Sequence, residues 1–159
     1  MSDQPTVDAA HPPEGVLRVI NPTLRFVLKT PLGGAIGDFM LVTFTGRKSG
    51  KRYSTPVSAH RLDGDLYVVL EAQWKHNFRG GADAQVAYRG KTRTMHGELI
   101  TDRSAVAAIC ERVATSYGPK KAQRQMGMTF REGRLPSVAE WEEAVDQLKI
   151  AAIKLTSKV

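Results

Sequence analysis

The chain has 159 residues, 42% of them apolar and 25% charged, with one cysteine and a formal net charge of +7. That balance suits a folded domain with short appendages and excludes a mostly disordered or collagen-like chain, and a lone Cys110 excludes an internal disulfide or a cysteine-built zinc cage. The longest apolar run, Ala105–Cys110, is six residues against the roughly 18–20 of a membrane span, and no basic start with an apolar stretch marks a signal peptide, so a cytoplasmic protein is expected. Residues 1–13 are polar, carry Pro5, Pro12 and Pro13, and read as a flexible arm ahead of one domain over 14–159. From Gly15 to Thr30 apolar residues recur at helical steps (Leu17, Ile20, Leu24, Val27, Leu28), with Arg18, Arg25 and Lys29 opposite. Asn21-Pro22 adds an N-cap signal that divides or kinks this helix. Five strand-like runs follow: Phe39–Thr45, Arg52–Arg61, Asp65–Leu70, Gln85–Arg89 and Thr92–Ile100, most of them separated by turn residues. A helix begins after Asp102 and stops at Gly118-Pro119; Lys120–Met128 is a weaker helical stretch. Ser137-x-x-Glu140 is a capping box ahead of Trp141, Val145 and Leu148. Lys149–Thr156 suits either a helix extension or a buried strand. Strands followed by helices, with a helical preface, make an α+β pattern around an antiparallel sheet or small barrel.

A sequence pI near 9.8 points to an anionic partner, which leaves nucleic acid, a membrane face or a phosphorylated small molecule. Nucleic acid ranks last, because no RNP-like, helix-turn-helix or zinc signature is present and aromatics do not alternate with cations. GxSxG, HExxH, the P-loop and GxGxxG are all absent, and no pair of the four histidines has ligand spacing, so no metal site is expected. Cys110 lies on the apolar stripe of a helix and reads as a packed core thiol. Glu71 ends an apolar strand, as an acid–base candidate or, more simply, a solvated carboxylate.

The most informative segment is Thr45-Gly46-Arg47-Lys48-Ser49-Gly50-Lys51-Arg52, where two glycines bracket two cations and a hydroxyl between strands. Such a turn is able to aim N–H groups, a hydroxyl and cationic heads at one phosphate; a solvated basic hairpin tip has the same composition. Pro56 has no N–H for a sheet ladder, so its strand is an edge, a bulge or a ligand-facing wall. In Trp74-Lys75-His76-Asn77-Phe78-Arg79-Gly80-Gly81, Trp74 and Phe78 either clamp a planar ring or cap the core from one helical turn.

Five segments stand in one order: Leu41–Gly50, Tyr53-Ser54-Thr55-Pro56-Val57, Asp63-Gly64-Asp65, Trp74-x-x-Asn77-Phe78-Arg79-Gly80-Gly81 and Tyr88-Arg89-Gly90-Lys91. Together they resemble the deazaflavin-dependent nitroreductase and quinone reductase family, oxidoreductases that use coenzyme F420. The resemblance implies a split β-barrel, similar to FMN-binding barrels, with an N-terminal helix and peripheral C-terminal helices, and a strand over Lys149–Thr156. It implies that Arg47, Lys48 and Ser49 grip the cofactor's phosphate and carboxylates. Ser54, Thr55, Pro56 and Val57 would line the deazaflavin ring, and Leu70, Glu71, Ala72, Trp74 and Asn77 would add to the site. The implied activity is hydride transfer from the reduced cofactor to a planar acceptor, with Tyr117 as the catalytic residue over it. Because the donating carbon belongs to the cofactor, the protein has only to position two rings and supply electrostatics.

In nitroimidazole-reducing members the loop before the tryptophan is longer and several tyrosines lie over the acceptor. Here Ala72-Gln73 alone separate Glu71 from Trp74, and Tyr117 is followed by Lys120, Lys121 and Gln123. A quinone is therefore the better expectation than a nitroimidazole. An FMN-binding relative and a non-catalytic cofactor or lipid carrier on the same barrel stand as alternatives. Relatives are often homodimers, and some touch the inner membrane face peripherally. The Gly15–Thr30 helix suits that contact, although a helix covering the barrel has the same pattern and is the simpler reading.

Overall fold

The computed structural model describes residues 7–9, 39–126 and 128–158. The helix expected over Gly15–Thr30, and with it the proposed membrane contact, lies outside the described residues. In chain order the elements are β1 (Val7–Ala9), β2 (Phe39–Thr45), β3 (Arg52–Ser58), β4 (His60–Leu62), β5 (Asp65–Leu70), a 3₁₀ helix (Gln73–Phe78), β6 (Ala82–Tyr88), β7 (Lys91–Ile100), α1 (Arg103–Tyr117), α2 (Pro119–Met126), β8 (Met128–Phe130), α3 (Val138–Leu148) and β9 (Ala151–Ser157). This is an α+β chain that divides into two compact units. Among the described residues, one holds 39–68, 74–99 and 153–158, and the other holds 7–9, 69–73, 100–126 and 128–152.

The first unit is built on a seven-stranded sheet in the order β3-β2-β6-β7-β9-β5-β4. β2 pairs antiparallel with β3 and β6, β6 with β7, and β4 with β5. The stretch Arg52–Arg61, expected as one strand, is two: β3 and β4 lie at opposite edges of the sheet, with Ala59 alone between them. One residue spans at most about 3.6 Å, so the two edges meet at Ala59 and the sheet curls into a half-barrel, the arrangement of a split barrel. The fourth expected strand, Gln85–Arg89, begins earlier, at Ala82, and ends at Tyr88, because Arg89 has φ +53 and Gly90 φ +78, which turn the chain.

Register assigns the faces. Met40, Val42 and Phe44 stand opposite Val57, Thr55 and Tyr53, and Met40 and Val42 stand opposite Tyr88 and Val86. These side chains share one face, which carries most of the sheet's core, with Ala84, Met95, Phe78 and Leu155. Leu41, Ala87 and Phe39 pack together on the other face. Phe78 is fully buried, and a Cβ on Gly97 would lie 2.6 Å from its ring and 3.2 Å from Leu155. Glycine at 97 is what lets the 3₁₀ helix press Phe78 onto β7.

The second unit holds the helices. Asp102 Oδ2 accepts from the Ala105 N–H at 2.9 Å and starts α1. Val106, Ala107, Cys110, Val113 and Ala114 make the buried stripe of that helix. Burial pushes the Cys110 thiol up to about 12, so it is a packed core group. The weaker helix expected over Lys120–Met128 stops at Met126, and Met128–Phe130 instead pairs antiparallel with Val7–Ala9, inside the segment expected to be a flexible arm. The capping box is formed: Ser137 Oγ accepts from the Glu140 N–H at 3.2 Å and Glu140 Oε1 accepts from the Ser137 N–H at 2.9 Å. Trp141, buried in α3, meets Phe130 edge-on at 5.8 Å. The C-terminal segment left open between helix and strand is the strand β9.

Candidate functional site

β2 and β3 are joined by the tight turn Gly46–Lys51. The Gly46 N–H donates to the Lys51 carbonyl at 2.8 Å, and the Gly50 N–H donates to the Gly46 carbonyl at 2.9 Å. A Cβ on Gly46 would fall 2.7 Å from Ser49 Oγ and 2.8 Å from the Tyr53 ring, so any larger residue there displaces the Ser49 and Tyr53 side chains. The Ser49 hydroxyl accepts from the Lys51 N–H at 3.2 Å and pairs with the Tyr53 hydroxyl at 3.1 Å. It is a brace of the turn as well as an exposed hydroxyl.

The 3₁₀ helix braces the same turn from outside. Asn77 Oδ1 accepts from the Arg47 main-chain N–H at 2.9 Å, while Asn77 Nδ2 donates to the Trp74 carbonyl at 2.8 Å. The Arg47 guanidinium donates through Nη1 to the carbonyls of Arg79 at 2.8 Å and His76 at 3.4 Å. Arg47 and Asn77, both read from the sequence as cofactor contacts, are thus tied to each other's segments, 30 residues apart. Lys48 and Lys51 are exposed, and among the described residues neither ammonium has a hydrogen-bond or ion-pair partner. Arg52 donates to Gln85 Oε1 at 3.0 Å.

A row of rings runs along the base of the turn. Trp74 stacks on Phe44 at 5.2 Å with 19° between planes, and Phe44 stacks on Tyr53 at 5.8 Å and 28°. Phe44 is buried, Trp74 half-buried, and Tyr53 is 45% exposed. Phe78 meets Phe44 and Trp74 edge-on from the core. The two sequence readings of Trp74 and Phe78 divide accordingly: Phe78 caps the core, and Trp74 keeps part of its ring in the open. Phe44 and Tyr53 escaped the sequence reading as ring partners. Their i and j positions are directly opposed across β2 and β3, a signal that needs the register to be seen.

β3 is an edge strand with no buried residue, as Pro56 requires. The pleat divides its four expected ring-lining residues. Thr55 and Val57 face the same side as Tyr53 and Phe44, while Ser54 and Pro56 face the other, where Ser54 Oγ lies 2.8 Å from Thr43 Oγ1. Leu70 ends β5 and is buried; Glu71, half-buried, and Ala72, exposed, lie in the connection that follows, in the unit with the helices. Tyr117 ends α1, half-buried, with the Lys121 ammonium 5.4 Å over its ring. Among the described residues no group of three or more His, Cys, Asp or Glu is placed to hold a metal, and no helix is long and apolar enough to cross a membrane.

A family model described as F420H(2)-dependent quinone reductase matches residues 27–135 of this chain. No curated protein matches the sequence. Among solved structures, a domain-swapped dimer is similar with 15% identity and a TM-score of 0.45, over 91% of this chain and 99% of that one. A conserved hypothetical protein from Mycobacterium tuberculosis is similar with 14% identity and a TM-score of 0.45, over 98% of this chain and 86% of that one. The FAD and heme binding protein from Mycobacterium smegmatis is similar with 14% identity and a TM-score of 0.47, over 84% of this chain and 66% of that one.

Proposed function

Because the chain belongs to the F420H(2)-dependent quinone reductase family, we propose that it is an oxidoreductase that binds reduced coenzyme F420 and reduces a quinone or similar planar acceptor. One observation carries this reading: two cations with no partner among the described residues, Lys48 and Lys51, stand on a turn that Asn77 and Arg47 hold in shape, directly beside a half-open row of aromatic rings. That donor set fits the group. A phosphodiester with a glutamate tail calls for cations free of acidic partners, and a deazaflavin calls for flat apolar surface.

When bound, the reduced deazaflavin supplies the hydride, and the protein's residues have only to bind and orient. Lys48, Lys51 and the Ser49 hydroxyl hold the anionic end. Arg47 and Asn77 position that turn through the carbonyls of His76 and Arg79 and the main chain of Arg47, rather than by charge alone. Thr55 and Val57, on the same face as the ring row, line the flat end and exclude water from it. The roles that the resemblance implies for Leu70, Glu71 and Ala72 toward the cofactor, and for Tyr117 toward the acceptor, belong to the same proposal. Residues 14–159 act as one oxidoreductase domain, and pairing into a homodimer and peripheral contact with a membrane face belong to the same proposal.

The test is turnover. Purified protein is mixed with reduced F420 and a soluble quinone, and recovery of the oxidised cofactor's fluorescence is followed against a nitroaromatic control. Faster oxidation with the quinone supports the reading. Tight cofactor binding with no oxidation across a panel of quinones would instead identify a carrier.

A further inference from the structure

A cavity lies toward the other end of the sheet. The Gly46–Lys51 turn follows Thr45 at one end of β2, whereas Tyr88 pairs with Met40 near the other end. Beside Tyr88 a cavity of about 410 Å³ opens between the β4–β5 turn and the β6–β7 turn. Its floor is apolar, made by Leu66, Val86 and Met95, all buried. Among the described residues four cations line it, Arg61, Arg89, Lys91 and Arg93, and no acidic side chain does.

Each of these cations is exposed, and none has a carboxylate partner among the described residues. Arg89 packs its guanidinium over the Tyr88 ring at 5.2 Å. The two turns are of the same kind, with positive φ at both central residues: Asp63-Gly64 at +54 and +85, Arg89-Gly90 at +53 and +78. The first uses Asp-Gly, which such turns favour; the second places an arginine in a backbone region that L side chains adopt only at a cost. An arginine held there against local preference, beside three more cations with no carboxylate partner among the described residues and over an apolar floor, suits an anion that also carries something apolar.

We propose that this cavity binds a small soluble molecule bearing a phosphate, sulfonate or carboxylate group on an apolar or planar body. The charged group meets Arg93, Lys91, Arg61 and Arg89, and the body lies on Leu66, Val86 and Met95 with Tyr88 at its edge. The site is separate from the Gly46–Lys51 turn and does not depend on the function proposed above.

The experiment titrates full-length protein with anilinonaphthalene sulfonate, follows its fluorescence, and displaces it with phenyl phosphate or with inorganic phosphate. The expected result is saturation at one site, displaced by phenyl phosphate well below the inorganic phosphate concentration needed, and weakened about tenfold or more by the double variant Lys91→Gln, Arg93→Gln. Amide shifts on phenyl phosphate binding are expected at Gly64 and Gly90, and F420 affinity stays within about twofold of the parent. Probe binding unchanged in the double variant would overturn the proposal, as would an equal loss of F420 affinity, which would make the cavity part of the cofactor site. Binding to anionic vesicles that needs Arg93, with no binding of phenyl phosphate, would overturn it in favour of a membrane face.

Discussion

The side-chain oxygen of Asn77 accepts a hydrogen bond from the main-chain N–H of Arg47 at 2.9 Å, and the Arg47 guanidinium returns the contact to the Arg79 carbonyl at 2.8 Å. This reciprocal pair fastens a basic hairpin turn to the 3₁₀ helix that carries Trp74. It explains why the GRKSG turn and the W-x-x-N-F-R stretch occur in one chain: each is the other's support.

A supporting role and a contact role for Arg47 predict different outcomes. Arg47→Lys keeps the positive charge but loses the guanidinium Nη1 that reaches two carbonyls. F420 affinity is expected to fall in Arg47→Lys nearly as far as in Arg47→Ala. Asn77→Ala should cost about 1 kcal/mol of folding stability in denaturant titration and weaken F420 binding although the charge is unchanged.

The lysines should behave in the opposite way. Lys48→Ala and Lys51→Ala remove exposed cations with no partner among the described residues, so thermal stability should hold. F420 affinity should fall about fivefold in each, and the parent's affinity should drop steeply with added salt. Fluorescence titration at two salt concentrations checks both points.

Gly97→Ala places a methyl 2.6 Å from the buried ring of Phe78. The substitution should destabilise the fold by about 1–3 kcal/mol through overpacking. Because Phe78 carries the 3₁₀ helix, loss of Trp74 quenching on cofactor addition should accompany it.

Acid sensitivity should come in part from His60. The ring is 2% exposed, and burial lowers its pKa to about 4 from the ordinary 6.5. Between those values the unfolded chain binds the proton and the folded one does not. Stability is therefore full above about pH 6.5 and falls as the pH drops towards 4, by up to about 3 kcal/mol. Urea unfolding over that range should show the slope, and His60→Gln should flatten it.

Much of this architecture was legible in the sequence. β2 and β5 have the ends that their flanking turns mark, and the capping box at Ser137 starts α3 as written. The break at Ala59 was not legible, because alternation runs unbroken through Val57-Ser58-Ala59-His60 while the chain changes sheet edge. The Val7–Ala9 strand was hidden too, since its partner, Met128–Phe130, lies far along the chain and short strands carry little pattern. For the site, both segments could be read, from glycine-bracketed charge and from the resemblance. What joins them could not: Phe44, Tyr53 and Trp74 become one row, and Arg47 meets Asn77, only through register and folding across 30 residues.

On the proposed reading, the turn at Lys48 and the ring row beside it form a deazaflavin site. Equilibrium titration with F420 and with FMN, followed by fluorescence for the parent and for Lys48→Ala/Lys51→Ala, tests it most directly. The expected result is saturable F420 binding that the double variant weakens by an order of magnitude or more, with FMN bound less tightly. Tight FMN binding with no response to F420, or F420 binding indifferent to both lysines, would contradict it.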